Sequence, residues 1–250
     1  MCARNRIALY GGTFDPVHLG HVEVAREVCE LFEIERVLFV PAHVAPHKVG
    51  RLVTPALHRY AMLTLATQHD DQMLVSTFEL ESAEGGYTVD TLTHFQKEFG
   101  DSTDLFFIMG ADSWAEISTW RDWQRLLSLA NHIVVTRPGY DVSTPSEELR
   151  QRLIDIRSNR VAQGQPAEAV RKTIQSGLLE NEPGRIFLTD IVKKDVSATQ
   201  VRRVAGEGKY DELKKLVPVP VAEYIEKYGI YRKSNEAKLH GKRKVFESAD

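Results

Sequence analysis

Two histidines three residues apart, His18 and His21, follow the glycine pair Gly11-Gly12 and the turn-forming run Phe14-Asp15-Pro16. The surrounding stretch, RIALYGGTFDPVHLGHVEVA over residues 6–25, is a short apolar run, a break, and then helical periodicity. Glycines at a strand end let the backbone approach a ligand closely. A helix starting just beyond presents unpaired N–H groups and the positive end of its dipole, which favour an anion. His18 and His21, at i and i+3, fall on one side of that first turn, and Gly20 between them leaves room for a ribose or base. The combination suits a phosphate-bearing ligand, although the pattern is neither the Rossmann G-x-G-x-x-G nor a P-loop. Two plainer readings stand beside it. One is a tight turn with incidental histidines; the other is a zinc site from His18, His21, Cys29 and a later histidine, for which no second Cys/His pair follows at zinc spacing.

Three further clusters carry chemistry-bearing residues. VPAHVAPHK, 40–48, is a proline-stiffened loop ending in Lys48, a flexible cation for a polyphosphate. FIMGADSW, 107–114, is an apolar run that stops at Gly110 and presents Asp112, suited either to ribose hydroxyls or to capping a helix. VSATQVRR, 196–203, offers Ser197 or Thr199 as a helix cap with Arg202 and Arg203 in the first turns, a second anion site or simply a capped helix with solvated arginines.

The elements that must position these residues alternate. Nearly continuous apolar runs at Ile7–Tyr10, Val37–Val40, Met73–Thr77, Leu105–Met109, His132–Thr136 and Ile186–Thr189 predict strands buried on both faces. Helical spacing is expected over 18–32, over 55–68 with Pro55 at the first helical position, and over 88–99 with Thr88 as N-cap. Such alternation implies an α/β fold, a Rossmann-like parallel sheet with helices on both faces, whose ligands sit beyond the carboxyl ends of the strands. Residues 141–184 are polar, show two helical stripes (Leu149, Leu153, Ile156; Val170, Ile174, Leu178) and read as a helical insertion without a strand. Residues 197–231 read as closing helices, so 1–231 is expected to be a single domain followed by a basic, flexible tail, 232–250.

Composition narrows the class. The chain has 250 residues, 42% hydrophobic and 27% charged, and a formal net charge of -3, which gives no electrostatic case for gripping nucleic acid. Two cysteines cannot make a disulfide framework, residues 1–30 show no signal-peptide pattern, and no stretch is long and apolar enough to span a bilayer. A cytoplasmic protein with no membrane partner is expected.

The motif GGTFDPVHLGH resembles the signature of nucleotidyltransferases of the HxGH type. The ordered set GGTFDPVHLGH, PHK, YTVDTL, FIMGAD, TW at 119–120, RPG at 137–139, VSATQVR and VPVPVAEYIEKYGIY resembles the bacterial nicotinate-nucleotide adenylyltransferases over roughly 5–231, the insertion apart. The resemblance implies transfer of AMP from ATP to nicotinate mononucleotide, giving deamido-NAD and pyrophosphate in NAD biosynthesis. It implies ATP contacts from Gly11, Gly12, Thr13, Phe14 and Gly20, with His18 and His21 at the phosphates and His21 closest to the transition state. Lys48 and Arg202 would hold the β- and γ-phosphates with Ser197 and Thr199 beside them, and Gly110 and Asp112 would face the adenosine ribose. Thr88, Trp120, Arg137 and Lys48 would take the mononucleotide, and Mg²⁺ would ride on ATP without a dedicated protein site. The chain departs from the pattern at Ala45, at Ala198 and at Arg121, where many relatives carry Pro, Ser and Tyr. Alternatives from the residues alone are another acceptor, such as nicotinamide mononucleotide or pantetheine phosphate, and a non-catalytic nucleotide sensor. Oligomeric state, including a homo-oligomer, is left open.

Overall fold

The computed structural model describes residues 4–43, 53–82, 86–136, 147–157, 167–179, 184–191, 194 and 196–232. The strands are β1 (Asn5–Gly12), β2 (Arg36–Pro41), β3 (Met73–Val75), β4 (Thr103–Gly110), β5 (Asn131–Val135), β6 (Leu153–Asp155) and β7 (Ile186–Thr189). They form one sheet in the order β3-β2-β1-β4-β5-β7-β6, and every pairing is parallel. All six expected strands are present. The chain leaves β1 toward β2 on one side and later returns to place β4 on the other, so the strand order reverses between β1 and β4. In open α/β sheets that reversal opens a crevice at the carboxyl edge.

Alternate residues of each strand face two separate cores. Ala8, Tyr10, Val37, Phe39, Phe106, Ile108, Ile133, Val135 and Phe187 belong to one. Leu9, Val40, Leu105, Phe107, Met109, Val134, Ile186 and Leu188 belong to the other. Burial on both faces is why these strands read as unbroken apolar runs. The first face is covered by α1 (Leu19–Phe32), α2 (Ala56–Thr67), α8 (Ala167–Leu179), α9 (Ala198–Gly206), α10 (Tyr210–Leu213) and α11 (Val219–Tyr228). The second is covered by α4 (Thr88–Phe99), α5 (Ala111–Ala115), α6 (Trp123–Leu129) and α7 (Glu147–Arg152); a short α3 (Phe78–Glu81) precedes α4. None of the described helices is long and apolar enough to cross a membrane.

Three local expectations are corrected. The third strand stops at Val75: the Ser76 N–H still reaches the Phe39 carbonyl of β2, but its hydroxyl accepts from the Phe78 N–H that begins α3. Thr88 is the first helical residue of α4 and Tyr87 is its N-cap, while Pro55 caps α2 from just outside. The 141–184 segment contains helices α7 and α8, but it also contributes β6, which pairs with β7 at the sheet edge. A three-residue strand beside Arg150, Arg152 and Arg157 is too short for its period to show. Lys48, Arg137 and the tail 233–250 lie outside the described residues.

Candidate active site

The turn after β1 is where the sheet's reversal, two helix starts and the C-terminal segment converge. Phe14 takes φ 47°, which throws its ring inward. There it is 3% exposed, edge-on to Tyr10 at 5.5 Å and to His21 at 5.1 Å. It lines neither cavity, and its ring packs against that of His21.

His18 is the N-cap of α1 and His21 lies one turn on, their rings stacked with centroids 3.7 Å apart. The His18 N–H donates to His21 Nδ1 at 3.2 Å. Enclosure of the ring, and then the neighbouring His18, hold the His21 pKa well below its usual 6.5. A neutral His21 that accepts at Nδ1 carries its proton on Nε2, and so keeps one donor for a ligand. The Leu19 N–H is taken by the Leu216 carbonyl, and the His21 and Val22 N–H groups by that of His18. Among the described residues the Gly20 N–H has no such acceptor. A Cβ on Gly20 would press on the His18 ring at 3.1 Å, so glycine there keeps both the stack and the free amide.

Other segments fix the turn's position. Arg59, on α2 and 1% exposed, donates from Nη1 to the Thr13 carbonyl (2.7 Å), from Nη2 to those of Ala42 (2.6 Å) and His43 (3.1 Å), and from Nε to Thr54 (2.9 Å). One guanidinium thus joins the turn to the exit of β2 and to the entry of α2. Arg202 donates to the Asp15 carbonyl at 2.6 Å and to the Thr199 hydroxyl at 3.0 Å. Tyr231 donates to the Asp15 carboxylate at 2.7 Å; burial, and then that carboxylate, raise its pKa above the usual 10.

Two cavities flank the turn at the carboxyl edge. The first, of about 340 Å³, is lined by Gly11, Gly12 and Thr13 from β1 and its turn, by Thr88 and Trp120, and by Glu79, Thr91 and Arg121. Glu79 is buried and its Oε1 accepts from the Thr91 hydroxyl at 2.7 Å; burial raises its pKa above 4.5, against the pull of Thr91 and Arg59. The second, of about 450 Å³, is lined by His18, Gly20, His21, Gly110, Asp112, Lys194, Ser197 and Ala198 among others. Asp112 lines both. Ser197 caps α9 by accepting from the Gln200 N–H at 3.2 Å.

The structure therefore gathers His18, Gly20, His21, Gly110, Asp112 and Ser197 around one cavity, and Gly11, Gly12, Thr13, Thr88 and Trp120 around its neighbour. Thr199 and Arg202 line neither; Arg202 braces the turn from outside. Sequence reasoning missed Arg59, Glu79, Lys194 and Tyr231. Only Tyr231 had a signal, as the last aromatic of an apolar C-terminal run. Among the described residues no group of three or more His, Cys, Asp or Glu is placed to hold a metal ion.

Residues 9–204 match the family model described as Cytidylyltransferase-like. The chain is 38% identical over 232 residues to a probable nicotinate-nucleotide adenylyltransferase of Thermoanaerobacter sp. (strain X514), covering 92% of this chain and 96% of that one. It is 36% identical over 221 residues to the protein of the same name from Corynebacterium jeikeium (strain K411), covering 88% and 98%. The fold superposes with a TM-score of 0.64 on Plasmodium falciparum nicotinic acid mononucleotide adenylyltransferase complexed with NaAD, at 20% identity over 91% of this chain and 97% of that one. At that identity the superposition speaks for the fold alone.

Proposed function

We infer the reaction from the family: the chain belongs to the nicotinate-nucleotide adenylyltransferases, within the cytidylyltransferase-like family, and transfers AMP from ATP to nicotinate mononucleotide. A phosphate oxygen of the mononucleotide attacks the α-phosphorus of ATP, the bond to the β-phosphate oxygen breaks, and pyrophosphate leaves. Because the nucleophile is already ionised, the protein's task is positioning and charge stabilisation. The observation that carries this reading is the stacked His18–His21 pair at the start of α1, between two cavities that share Asp112.

The cavity beside His18, Gly20 and Gly110 is assigned to ATP. Gly20 N–H and His21 Nε2–H donate to the phosphate oxygens as negative charge moves onto the departing pyrophosphate. Gly110 supports the adenosine assignment in a particular way. Its φ is -79°, open to any residue, and a Cβ there would meet nothing within 4 Å. The fold does not require glycine at 110, whereas a ligand in the cavity would. Asp112 at the cavity junction would take the ribose hydroxyls, and Ser197, with the amides opening α9, the outer phosphates. Lys48 and Arg137 stay assigned as the motifs imply, to the triphosphate and the mononucleotide phosphate. Arg202 is assigned to holding the turn, with its remaining donors available to phosphate. Mg²⁺ is taken to arrive on the triphosphate, where it supplies charge neutralisation, in a cytoplasmic enzyme.

The neighbouring cavity is assigned to nicotinate mononucleotide, with Trp120 against the ring and the N–H groups at the start of α4 near Thr88. The test is pyrophosphate release with ATP and Mg²⁺, comparing nicotinate, nicotinamide and pantetheine phosphate acceptors. Release with nicotinate mononucleotide is expected; release only with another acceptor would overturn the assignment.

A further inference from the structure

Past α11 the chain comes back to the turn after β1. The helix ends at Gly229, whose φ of 62° reverses the backbone, and the Ile230 N–H closes that end by donating to the Ile225 carbonyl at 3.0 Å. Next, Tyr231 takes φ 68°, in the left-handed region that side chains rarely adopt. Its main chain lies against α9, where a Cβ on Gly206 would meet the Tyr231 carbonyl oxygen at 3.0 Å, so glycine there admits the segment. The backbone at Tyr231 is thus set by the helix before it and by the helix beside it.

From that seat the Tyr231 hydroxyl reaches 216 positions back along the sequence and donates to Asp15 Oδ1 at 2.7 Å. Asp15 is 7% exposed, and a carboxylate taken from water depends on its donors to stay in one place. Arg202 holds the main-chain carbonyl of Asp15 and Tyr231 holds its side chain. Asp15 directly follows Phe14, whose ring meets that of His21 at 5.1 Å, and it opens the three-residue approach to His18, the N-cap of α1. Fixing Asp15 therefore fixes the backbone on which the histidine stack depends. Tyr231 itself lines neither cavity, so an effect on the reaction has to pass through the turn.

We propose that Tyr231 is a positioning residue for the adenylyl transfer, its hydroxyl holding the Asp15 carboxylate so that His21, stacked on His18, meets the phosphates in the reactive geometry. This rests on the assignment of the histidine pair to the reaction. A displacement of about 1 Å at a group acting on the reacting atoms costs up to about 100-fold in rate. Substrates bound mainly through other groups keep their affinity, so the mark of the role is a lower kcat with little change in KM.

The experiment measures kcat and KM for ATP and nicotinate mononucleotide in the full chain, in Tyr231→Phe, in His21→Ala and in the double variant, with rates counted per enzyme shown folded by a thermal melt. Tyr231→Phe keeps the ring and removes only the hydroxyl. Its kcat is expected to fall about tenfold, with both KM values within about threefold of the parent. In the His21→Ala background the same change is expected to cost about threefold or less, because the group it positions is gone. Tyr210→Phe removes a hydroxyl bonded to Arg232 Nε at 2.8 Å instead of to the turn. Its kcat is expected to stay within about twofold of the parent. Four results would each overturn the proposal: a Tyr231→Phe kcat within about twofold of the parent, a loss carried by KM, a loss of about tenfold repeated without His21, or an equal loss in Tyr210→Phe. A Tyr231→Phe chain that does not fold would assign the hydroxyl to stability alone and overturn it too. A parent that releases no pyrophosphate from ATP and nicotinate mononucleotide would overturn the function assigned above, and the proposal with it.

Discussion

The turn after β1 and the cavity beside it are neighbours built in opposite ways. In the turn, groups from far along the chain hold backbone: the Arg59 side chain holds Thr13, the Arg202 side chain holds Asp15, and the Leu216 main-chain carbonyl holds Leu19. In the cavity two of the lining side chains have fewer ties of this kind. Glu79 is tied by one hydroxyl and Arg121 by one ring face. Groups that act on a transition state lose their effect if they move, so their support is redundant. Groups that recognise a ring can settle around it.

The contrast is broken most severely by His21→Ala. Turnover of the folded enzyme is expected to fall about 10²- to 10³-fold; steady-state kinetics near the parent rate would remove His21 from the reaction. Arg59→Met comes next. Four carbonyls lose their donor at once, so urea unfolding should show a loss of roughly 3 kcal/mol or more. Turnover of the fraction that remains folded should fall as well, because the turn is released from β2. A stable Arg59→Met enzyme with normal turnover would show that the turn needs no such brace. Gly110→Ala sharpens the comparison from the cavity side. Stability should change by less than about 0.5 kcal/mol, while the KM for ATP rises about tenfold as the methyl enters the nucleotide's space. Loss of stability with an unchanged KM would mean that this glycine serves the fold.

The gentlest probe is pH. His21 has a folded pKa below its unfolded 6.5, so below pH 6.5 the unfolded chain takes up a proton that the folded turn refuses, and acid destabilises. Glu79 has a folded pKa above 4.5, so between 4.5 and that value the folded state holds the extra proton, and rising pH destabilises. His21→Asn should therefore flatten the loss of stability on the acid side of 6.5. Glu79→Gln should remove a slope of the opposite sign, read from urea midpoints across pH 4–7. Slopes of the same sign in both variants would contradict the environments described.

How much of this was legible in the sequence depends on what each feature is made of. Strands buried on both faces announce themselves as runs such as Leu105–Met109, and the Gly11–His21 turn keeps its residues within one short stretch. Arg59 looked like any polar residue on an amphipathic helix, because its partners are main-chain carbonyls of Thr13, Ala42, His43 and Thr54, and a carbonyl has no letter. Glu79 and Thr91 meet across 12 positions with no motif joining them. Arg202 was visible as a cation at a helix start, but not that it would turn toward the Asp15 backbone.

The sheet's flanks carry a consequence of their own. Its outermost strands, β3 and β6, are three residues each, whereas β1 and β4 in the middle have eight. At the β6 flank Asp155 is engaged by Arg157 at 2.7 Å. An unpaired strand recruits a stranger by offering a long row of free amides and carbonyls. Among the described residues the longest ladders are enclosed and the sheet's outer strands are stubs, so the architecture that concentrates chemistry at one edge also gives other chains little there on which to add a strand.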